Sequence, residues 1–335
     1  MLTPWKPWLN QLPIPMKKDI ESLYLEFRRH QPDLVHAWQD GTNINVAIAA
    51  LMAGIPGIIL FARSQRPDSK TLLHMRHRPY LKNAYKSILK NSNIVLCINS
   101  ESGAIGYSEW LDIPVERIPI IHNGIDFNGL SEVSINSDAP EKLLKLSIPK
   151  GALVIGCVFR FVPEKQPSLW FETVKLVLEQ NDNIHAIMVG DGGLLPKIKS
   201  MANSSSVSSR FHIVGGTRAV KVWLDRFDLF LLTSKVEGLP NVLIEAQAFG
   251  VPTISTNAGG AIDTFIDGKS GHLIDSFDPL ELSEKIISCI GDKNWLETAS
   301  KLGKDNARIK FSNRNMLKTL LHIYKSSLED SLLDD

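Results

Sequence analysis

The chain has 335 residues, with 37 Lys and Arg against 36 Asp and Glu, so its formal charge is +1. This length suits about two domains of ordinary size, and 44% hydrophobic residues are typical of globular domains with cores of their own. The near-neutral balance excludes a strongly basic nucleic-acid arm and a long acidic tail, and we predict no nucleic-acid partner.

Two features of the sequence, its targeting signals and its cysteines, indicate in which cellular compartment the protein is expected. No apolar run reaches the roughly 18 residues that cross a bilayer, and the first residues lack the basic-then-apolar layout of a secretion signal. We therefore expect a cytoplasmic protein, with peripheral contact at the inner face of the plasma membrane left open. Cys97, Cys157 and Cys289 stand singly among apolar residues, which indicates core side chains in a reducing compartment.

Short apolar strands alternate with helical stretches along the chain. The predicted strands are Leu34–His36, Gly57–Phe61, Ile94–Ile98, Ile118–Ile121, Leu153–Val158, His185–Val189, Leu229–Leu232 and Thr253–Ser255. Apolar strands of this kind, bounded by turn residues and separated by helices, are typical of a parallel sheet that helices cover on both faces. The pattern predicts a doubly wound α/β architecture.

A basic segment covers residues 63–90, and its only acid is Asp68. Its cations are Arg63, Arg66, Lys70, Arg76, Arg78, Lys82, Lys86 and Lys90. A cluster of one sign favours an anionic partner, such as a lipid-diphosphate acceptor or an anionic membrane surface. A solvated helical face explains the same charges, and both interpretations stay open.

The pattern of strands and helices breaks between Gly129 and Lys150, where polar residues, Pro140 and Pro149 lie. Apolar residues at helical spacing from Asn313 to Leu328 predict a closing helix. The predicted division is an N-terminal acceptor-side lobe over residues 1–135, a nucleotide-sugar-binding lobe over 145–310, and a C-terminal helix over 311–335 that packs back toward the N-terminal lobe.

The segment from Ser234 to Pro252 carries the strongest signal for a binding site. Pro240 suits the first turn of a helix, and Gly250 is placed to stop that helix. The start of a helix presents free N–H groups and partial positive charge, which favours an anion such as a diphosphate. Gly238 lets a ligand approach the backbone closely.

Two glutamates, Glu237 and Glu245, are expected near this helix start. Carboxylates accept hydrogen bonds from hydroxyl groups but do not favour phosphate. A ligand that carries phosphate between two polyhydroxylated sugars meets both demands. The ordinary alternative is that both glutamates are solvated surface charges.

The spacing of these glutamates, E-x7-E, resembles the signature of the retaining family 4 glycosyltransferases of GT-B fold. Other segments resemble motifs of the same family. They are F-R-F-V-P-E-K at 159–165 (family G-R-x-x-x-x-K), V-G-D-G at 189–192 (V-G-x-G), I-V-G at 213–215, G-V-P at 250–252, A-G-G at 258–260 and G-K-S-G-H-L-I at 268–274 (G-x-x-G-x-L). The resemblance is close over residues 153–274 and looser from Pro32 onward.

The resemblance implies a GT-B-like α/β fold, with two doubly wound Rossmann-like lobes facing a cleft. The family opens with a strand and a glycine-rich turn, whereas the first glycine here is Gly41 and too few residues precede the His36 strand. We therefore expect an incomplete N-terminal lobe.

The resemblance also implies an activity. It is transfer of a sugar, with retention, from a UDP- or GDP-linked donor to a glycan or lipid-linked acceptor in bacterial cell-surface polysaccharide synthesis. The chain contains no Asp-x-Asp pair, and we expect no metal and no cofactor besides the donor substrate.

Site residues follow from the matched motifs. By the resemblance, Arg160 and Lys165 contact the donor diphosphate, Glu245 holds the ribose and Glu237 the donor sugar. The backbone near the helix start cradles phosphate, and two strand ends complete the nucleotide site. The residues expected there are Gly238, Leu239, Pro240, Asn241, Gly190 and Val214. Phe159 departs from the family glycine that precedes the arginine.

The N-terminal part departs more from the family. P-D-L-V-H-A-W at 32–38 resembles P-D-[IV]-V-H-x-H, with Trp38 in place of the second histidine. His36 is either functional or held by neighbouring backbone. Relatives carry a histidine near residues 61–64, where this chain has Arg63. Arg63 is a candidate catalytic charge stabiliser, and an ordinary surface cation is the alternative. Asn123-Gly124 reads as a structural turn.

Three classes of function were weighed. A retaining glycosyltransferase leads, and a truncated nucleotide-sugar-binding protein with little or no transferase activity is the alternative. A dinucleotide enzyme or NTPase is remote, because Leu195 and Asp263 occupy positions where the relevant motifs need glycine.

Overall fold

The computed structural model describes residues 13–68, 80–135 and 138–333. These residues divide into two compact units. The first unit contains the residues up to His122 together with those from Met316 on, and the second unit contains Asn123–Asn315.

Helices and strands alternate along both units. The elements are α1 (Ile14–His30), β1 (Leu34–Trp38), α2 (Asp40–Ala53), β2 (Gly57–Ala62), α3 (Tyr80–Ile88), β3 (Ile94–Ile98), α4 (Glu101–Leu111), α5 (Phe127–Ile135), α6 (Ala139–Leu144), β4 (Leu153–Val158), α7 (Pro167–Gln180), β5 (Ile184–Val189), α8 (Leu195–Asn203), β6 (Phe211–Ile213), α9 (Val220–Leu224), β7 (Leu229–Leu232), α10 (Asn241–Ala248), β8 (Thr253–Thr256), β9 (Gly271–Ile274), α11 (Pro279–Gly291), α12 (Lys293–Lys310) and α13 (Asn313–Leu333).

The described strands of the first unit form a parallel sheet in the order β1-β2-β3. All six residues of the central strand β2 are buried, as expected for a parallel strand that is covered on both faces. On one face, Ile323 of α13 joins a cluster with Ile59, Phe61 and Cys97. The closing helix predicted from Asn313 is therefore confirmed, and it shares a core with the first unit.

The second unit is built on a parallel sheet in the order β6-β5-β4-β7-β8-β9. The chain runs outward from β4 to β6, returns to pair β7 with β4, and then continues in the other direction. The order therefore reverses between β4 and β7. In doubly wound sheets, ligands bind outside the carboxyl ends of the strands at such a switch point. The loops that follow β4 and β7 are the place where this topology predicts a site.

Close packing around β4 explains its composition. A Cβ atom at Gly156 would lie 2.3 Å from the ring of Phe227, so only glycine fits beside that ring. The indole N–H of Trp170, a fully buried residue of α7, donates to the carbonyl of Leu231 in β7 at 2.9 Å. These contacts hold the central strands and their covering helix together, and so fix the positions from which the two loops depart.

The α/β prediction is confirmed, and most predicted strands agree with the structure to within two residues. The predicted strand Ile118–Ile121 is wrong. This segment makes a single bridge, between Ile98 and Ile120, because Pro119 has no N–H to continue a ladder. The apolar runs did not predict β6 or β9, although the family resemblance gave a strand end at residues 213–215. The interruption predicted between Gly129 and Lys150 contains most of α5 and all of α6.

Two further findings concern the cysteines and the length of the helices. Cys97, Cys157 and Cys289 are buried and free, as predicted for core cysteines. In the part of the chain that the structure describes, no helix combines the length and apolar character needed to cross a bilayer.

Candidate functional site

The first loop at the switch point follows β4 and is anchored to the end of β5. The N–H of Phe159 donates to the carbonyl of Val189 at 3.1 Å, and that of Phe161 to the carbonyl of Asp191 at 2.9 Å. Both phenylalanine rings are buried in the core of the second unit. The core therefore accommodates the Phe159 side chain, which replaces the family glycine. Arg160 lies between the two rings in sequence and is exposed.

Gly190 lies where the ends of β4, β5 and β6 meet. Its φ is 147°, and a Cβ atom there would lie 1.8 Å from the carbonyl oxygen of Phe159. Its N–H donates to the carbonyl of Gly215 at 3.0 Å. Close backbone approach therefore explains this glycine, and contact with a ligand stays a prediction.

A short 3₁₀ helix, Pro163–Lys165, ends the first loop and ties it to the second. The hydroxyl of Thr233, directly after β7, donates to the carbonyl of Lys165 at 3.1 Å. The N–H of Lys235 donates to the carbonyl of Glu164 at 2.8 Å. The loops after β4 and β7 are thus joined by one side-chain and one backbone hydrogen bond.

The ammonium of Lys165 forms a salt bridge with Oε1 of Glu237. The two side chains are only 18% and 11% exposed. The backbone of Glu237 is itself held, because its N–H donates to the carbonyl of Ala258 at 2.9 Å and its carbonyl accepts from the N–H of Gly260 at 3.4 Å. Two residues predicted separately for the donor site are therefore in contact.

The helix α10 starts at Asn241, and Pro240 is its N-cap rather than a residue of its first turn. Pro240 has an extended ψ of 105°, so the predicted start is one residue too early. The helix ends at Ala248, and Gly250 follows with φ of 83°, which confirms the predicted stop. The first N–H groups of an α-helix have no partner within it, so the start of α10 offers donors to an anion.

The sequence reading missed the residue that holds this helix start. Nδ2 of the buried Asn123 donates to Oδ1 of Asn241 at 2.6 Å and to the carbonyl of Leu239 at 3.2 Å. The sequence predicts only a structural turn at Asn123-Gly124. An amide beside a glycine signals a turn locally, and nothing in its spacing points to a partner that lies 118 residues away.

Glu245 lies on α10 and is half-buried. Burial raises the pKa of its carboxyl group to about 6. Among the described residues, no cation forms an ion pair with it, whereas Glu237 has Lys165. A half-buried carboxylate with no cation beside it in the described part of the chain is suited to accept hydrogen bonds from ligand hydroxyls.

Val214 lines a cavity of about 270 Å³ within the second unit. The N–H of Val214 donates to the carbonyl of Met188, so the residue directly continues the sheet. Trp223 also lines the cavity, and its buried indole N–H finds no acceptor among the residues that the structure describes. The remaining lining residues are Ala139, Lys142, Gly215, Gly216 and Thr217.

Arg63 lies in the first unit, where its guanidinium carbon is 5.3 Å from the centroid of the Trp38 ring. Trp38 stacks in turn on His36 at 5.0 Å. Nδ1 of His36 hydrogen-bonds to the hydroxyl of Tyr324 at 2.7 Å, so a side chain rather than neighbouring backbone holds this histidine. Burial lowers the pKa of His36 to about 4, which keeps the ring neutral at neutral pH.

The basic segment 63–90 is described in part. Arg66 contacts Asp68 at 3.2 Å and Glu109 at 3.4 Å, and Lys86 contacts Asp112 at 3.8 Å. Lys82 and Lys90 are exposed. Lys70, Arg76 and Arg78 lie outside the described residues. Acidic side chains from α4 and its end thus balance two of the cations that the linear segment leaves unbalanced.

Comparison with known proteins identifies the family and the fold. Residues 138–308 match the family described as glycosyl transferases group 1, and residues 2–128 match glycosyltransferase family 4. The Vi polysaccharide biosynthesis protein VipC/TviE of Salmonella typhi is 32% identical over 279 residues, which are 82% of this chain and 47% of that protein. The chain thus spans about half the length of that relative.

Another relative is the UDP-Gal:alpha-D-GlcNAc-diphosphoundecaprenol alpha-1,3-galactosyltransferase of Escherichia coli. It is 28% identical over 284 residues, which are 82% of this chain and 71% of that enzyme. Among solved structures, Anabaena Alr3699/HepE in complex with UDP has a TM-score of 0.75 at 20% identity, with 96% of this chain and 84% of that chain covered.

A glycosyltransferase from Rickettsia africae ESF-5 has a TM-score of 0.78 at 18% identity, with 95% and 83% covered. These likenesses confirm the predicted GT-B fold. The family match and the fold lead to one conclusion: the chain belongs to the group 1 glycosyl transferases, with a family 4 N-terminal region.

Proposed function

We propose that this chain transfers a sugar from a UDP- or GDP-linked donor to a glycan or lipid-linked acceptor, with retention at the anomeric carbon and without a metal ion. The observation that carries the proposal is the salt bridge between Lys165 and Glu237 beside the start of α10. It puts a cation, a hydroxyl acceptor and a helix N-terminus at the switch point of a doubly wound sheet.

The diphosphate needs cations and N–H donors. Departure of a nucleoside diphosphate develops negative charge, which fixed cations and a helix start stabilise without reorganising. Lys165, the exposed Arg160 and the backbone from Gly238 to Asn241 are suited to this role. This supports metal independence, because the chain's own residues supply the positive charge.

The sugars at either end need hydroxyl acceptors. Glu245, without a protein cation, is suited to the ribose hydroxyls, and Glu237 to the donor sugar. Val214 and the cavity it lines are suited to the base side of the nucleotide, with Gly190 shaping the strand ends nearby. Arg63, held against Trp38 in the first unit, is the candidate for a further charge stabiliser on the acceptor side.

The named relatives support the choice of acceptor. The Escherichia coli relative acts, by its name, on a sugar linked to diphosphoundecaprenol. Others are named for capsular and Vi polysaccharide biosynthesis. We extend this to a lipid-linked acceptor for the present chain. The exposed cations Lys82 and Lys90 support peripheral contact with an anionic membrane surface.

A donor panel tests the proposal. Purified protein is titrated calorimetrically with UDP- and GDP-sugars, and nucleotide release is followed with and without a diphosphoundecaprenol-linked sugar, in the presence and absence of EDTA. We expect one donor to bind, acceptor-dependent release that EDTA leaves intact, and a product whose anomeric proton shows the donor's configuration by NMR.

Other results of this experiment would contradict particular parts of the proposal. Binding of a donor without acceptor-dependent release would favour the alternative of a truncated nucleotide-sugar-binding protein. Loss of activity in EDTA would contradict metal independence, and inversion would contradict retention. No binding of any donor would remove the proposal altogether.

A further inference from the structure

The salt bridge between Lys165 and Glu237 joins two groups that the proposed donor would need separately. Lys165 is suited to the diphosphate, and Glu237 to the hydroxyls of the transferred sugar. In the ligand-free protein each neutralises the other, with exposed fractions of only 18% and 11%. A phosphate that binds the ammonium of Lys165 must therefore compete with the carboxylate of Glu237, which already forms a salt bridge with it.

The backbones of Lys165 and Glu237 are held by hydrogen bonds, so neither can move far when a ligand binds. The carbonyl of Lys165 accepts from the hydroxyl of Thr233. Glu237 is bound on both sides of its peptide, to Ala258 and to Gly260. Side-chain rotation is the freedom that remains. The backbone of Glu237 therefore remains beside any phosphate that the Lys165 side chain rotates to bind.

The consequence differs for substrate and product. During transfer the anomeric C–O bond breaks, and the nucleoside diphosphate keeps the bridging oxygen and the bonding pair. The sugar carbon bonds to the acceptor oxygen, whose proton is released. The donor thus presents sugar hydroxyls to Glu237, whereas the product ends in a terminal phosphate that gains a second charge above a pKa of about 6. Beside Glu237, the product therefore has a negatively charged phosphate in place of the hydroxyl groups that the donor sugar offers.

Resting on the proposed function, we infer that Glu237 makes the site selective for the sugar-bearing donor over the free nucleoside diphosphate and so promotes product release. With the donor, the carboxylate exchanges Lys165 for sugar hydroxyls. With the product, it loses Lys165 and faces a terminal phosphate of like charge.

The experiment uses the full chain, the donor selected by the panel above, and its nucleoside diphosphate. Their dissociation constants are measured for the wild type, Glu237→Gln and Glu237→Asp, with Glu245→Gln as the matched control. Glu237→Gln removes the charge and keeps the shape, whereas Glu237→Asp keeps the charge. Melting curves identify any variant that is not folded.

We expect the ratio of the two dissociation constants, product over donor, to fall roughly tenfold in Glu237→Gln, which corresponds to about 1.4 kcal/mol. Glu237→Asp should keep most of the wild-type ratio. Glu245→Gln should weaken both ligands alike, because both carry the ribose. In the wild type, the ratio should rise as the pH passes the second phosphate pKa near 6.

An unchanged ratio in folded Glu237→Gln would overturn the inference while leaving donor binding intact. A wild-type ratio that does not rise across that pH range would also contradict it, even if Glu237→Gln fails to fold. If no donor binds the wild type, the proposed function fails first, and the inference falls with it. The two failures are therefore distinguishable.

Discussion

Asn123 and Asn241 are joined by a 2.6 Å hydrogen bond from Nδ2 of the first to Oδ1 of the second, across 118 residues of chain. The same amide of Asn123 donates to the carbonyl of Leu239. One buried side chain thus holds both neighbours of Pro240, where α10 begins. The direction of the first helical N–H groups depends on this amide, and so does any anion site that they form.

Replacing Asn123 by alanine should weaken nucleotide binding without touching the ligand directly. The carbonyl of Leu239 and the amide of Asn241 lose a buried partner, which typically costs about 1–3 kcal/mol of stability. We expect a lower free energy of unfolding in urea and a several-fold rise in the dissociation constant of the donor. Asn183→Ala is the control, because its amide makes an exposed bond to the carbonyl of Gly151. Equal donor affinity in wild type and Asn123→Ala would contradict this role.

Glu245 should reduce the stability of the protein at neutral pH. Its folded pKa of about 6 lies above its ordinary value of 4.5, so the folded state binds the proton more tightly than the unfolded state. Stability is therefore lost as the pH rises from 4.5 to 6, and it stays lower above that range. The shift amounts to at most about 2 kcal/mol.

Glu245→Gln removes this titration. We expect the variant to exceed the wild type in free energy of unfolding by up to about 2 kcal/mol near pH 8, with a difference that shrinks toward about pH 4.5. Urea denaturation at both pH values measures it, and donor titration should show weaker binding by the same variant. A variant less stable than the wild type near pH 8 would show that the carboxylate has a stabilising partner.

Gly190→Ala should destabilise the second unit severely. The added Cβ would lie 1.8 Å from the carbonyl oxygen of Phe159, and the φ of 147° is itself unfavourable for alanine. Thermal unfolding should show a loss of about 3 kcal/mol or more. Gly193→Ala is a matched control, since a Cβ there meets nothing within 4 Å. Similar melting temperatures for the two variants would show that the backbone at the strand ends shifts to accommodate the added Cβ atom at little cost in stability.

Arg160→Ala should separate binding from stability. The side chain is exposed, so its removal should change the free energy of unfolding by less than about 0.5 kcal/mol. Loss of a charge-assisted contact to phosphate should raise the dissociation constant of the nucleotide by about tenfold. Arg308→Ala, an exposed arginine of α12, serves as the control. Unchanged nucleotide affinity in Arg160→Ala would remove this residue from the diphosphate site.

Most of the strands and the end of α10 could be predicted from the sequence, because each depends on local chemistry. A run such as Ile94–Ile98 is apolar at every position, and Gly250 takes a positive φ that ends a helix. The same local rules misassigned Ile118–Ile121, since they weighed β-branched residues above the missing N–H of Pro119. They also passed over the edge strands β6 and β9, because β6 has only three residues and Gly271 and His272 interrupt the apolar run of β9.

Only the tertiary structure decided which of these residues meet. The sequence alone determined that Lys165, Glu237 and Glu245 belong to two motifs, and that the second motif opens a helix. It did not determine that Lys165 and Glu237 neutralise each other, that Glu245 pairs with no cation of the described residues, or that Asn123 holds the helix start. The contact between Lys165 and Glu237 arises because the sheet order reverses between β4 and β7 and brings the loops that follow these strands together. Asn123 reaches the helix start from a segment that precedes β4. Periodicity and turn chemistry act over a few residues, whereas such contacts depend on how the whole sheet is assembled.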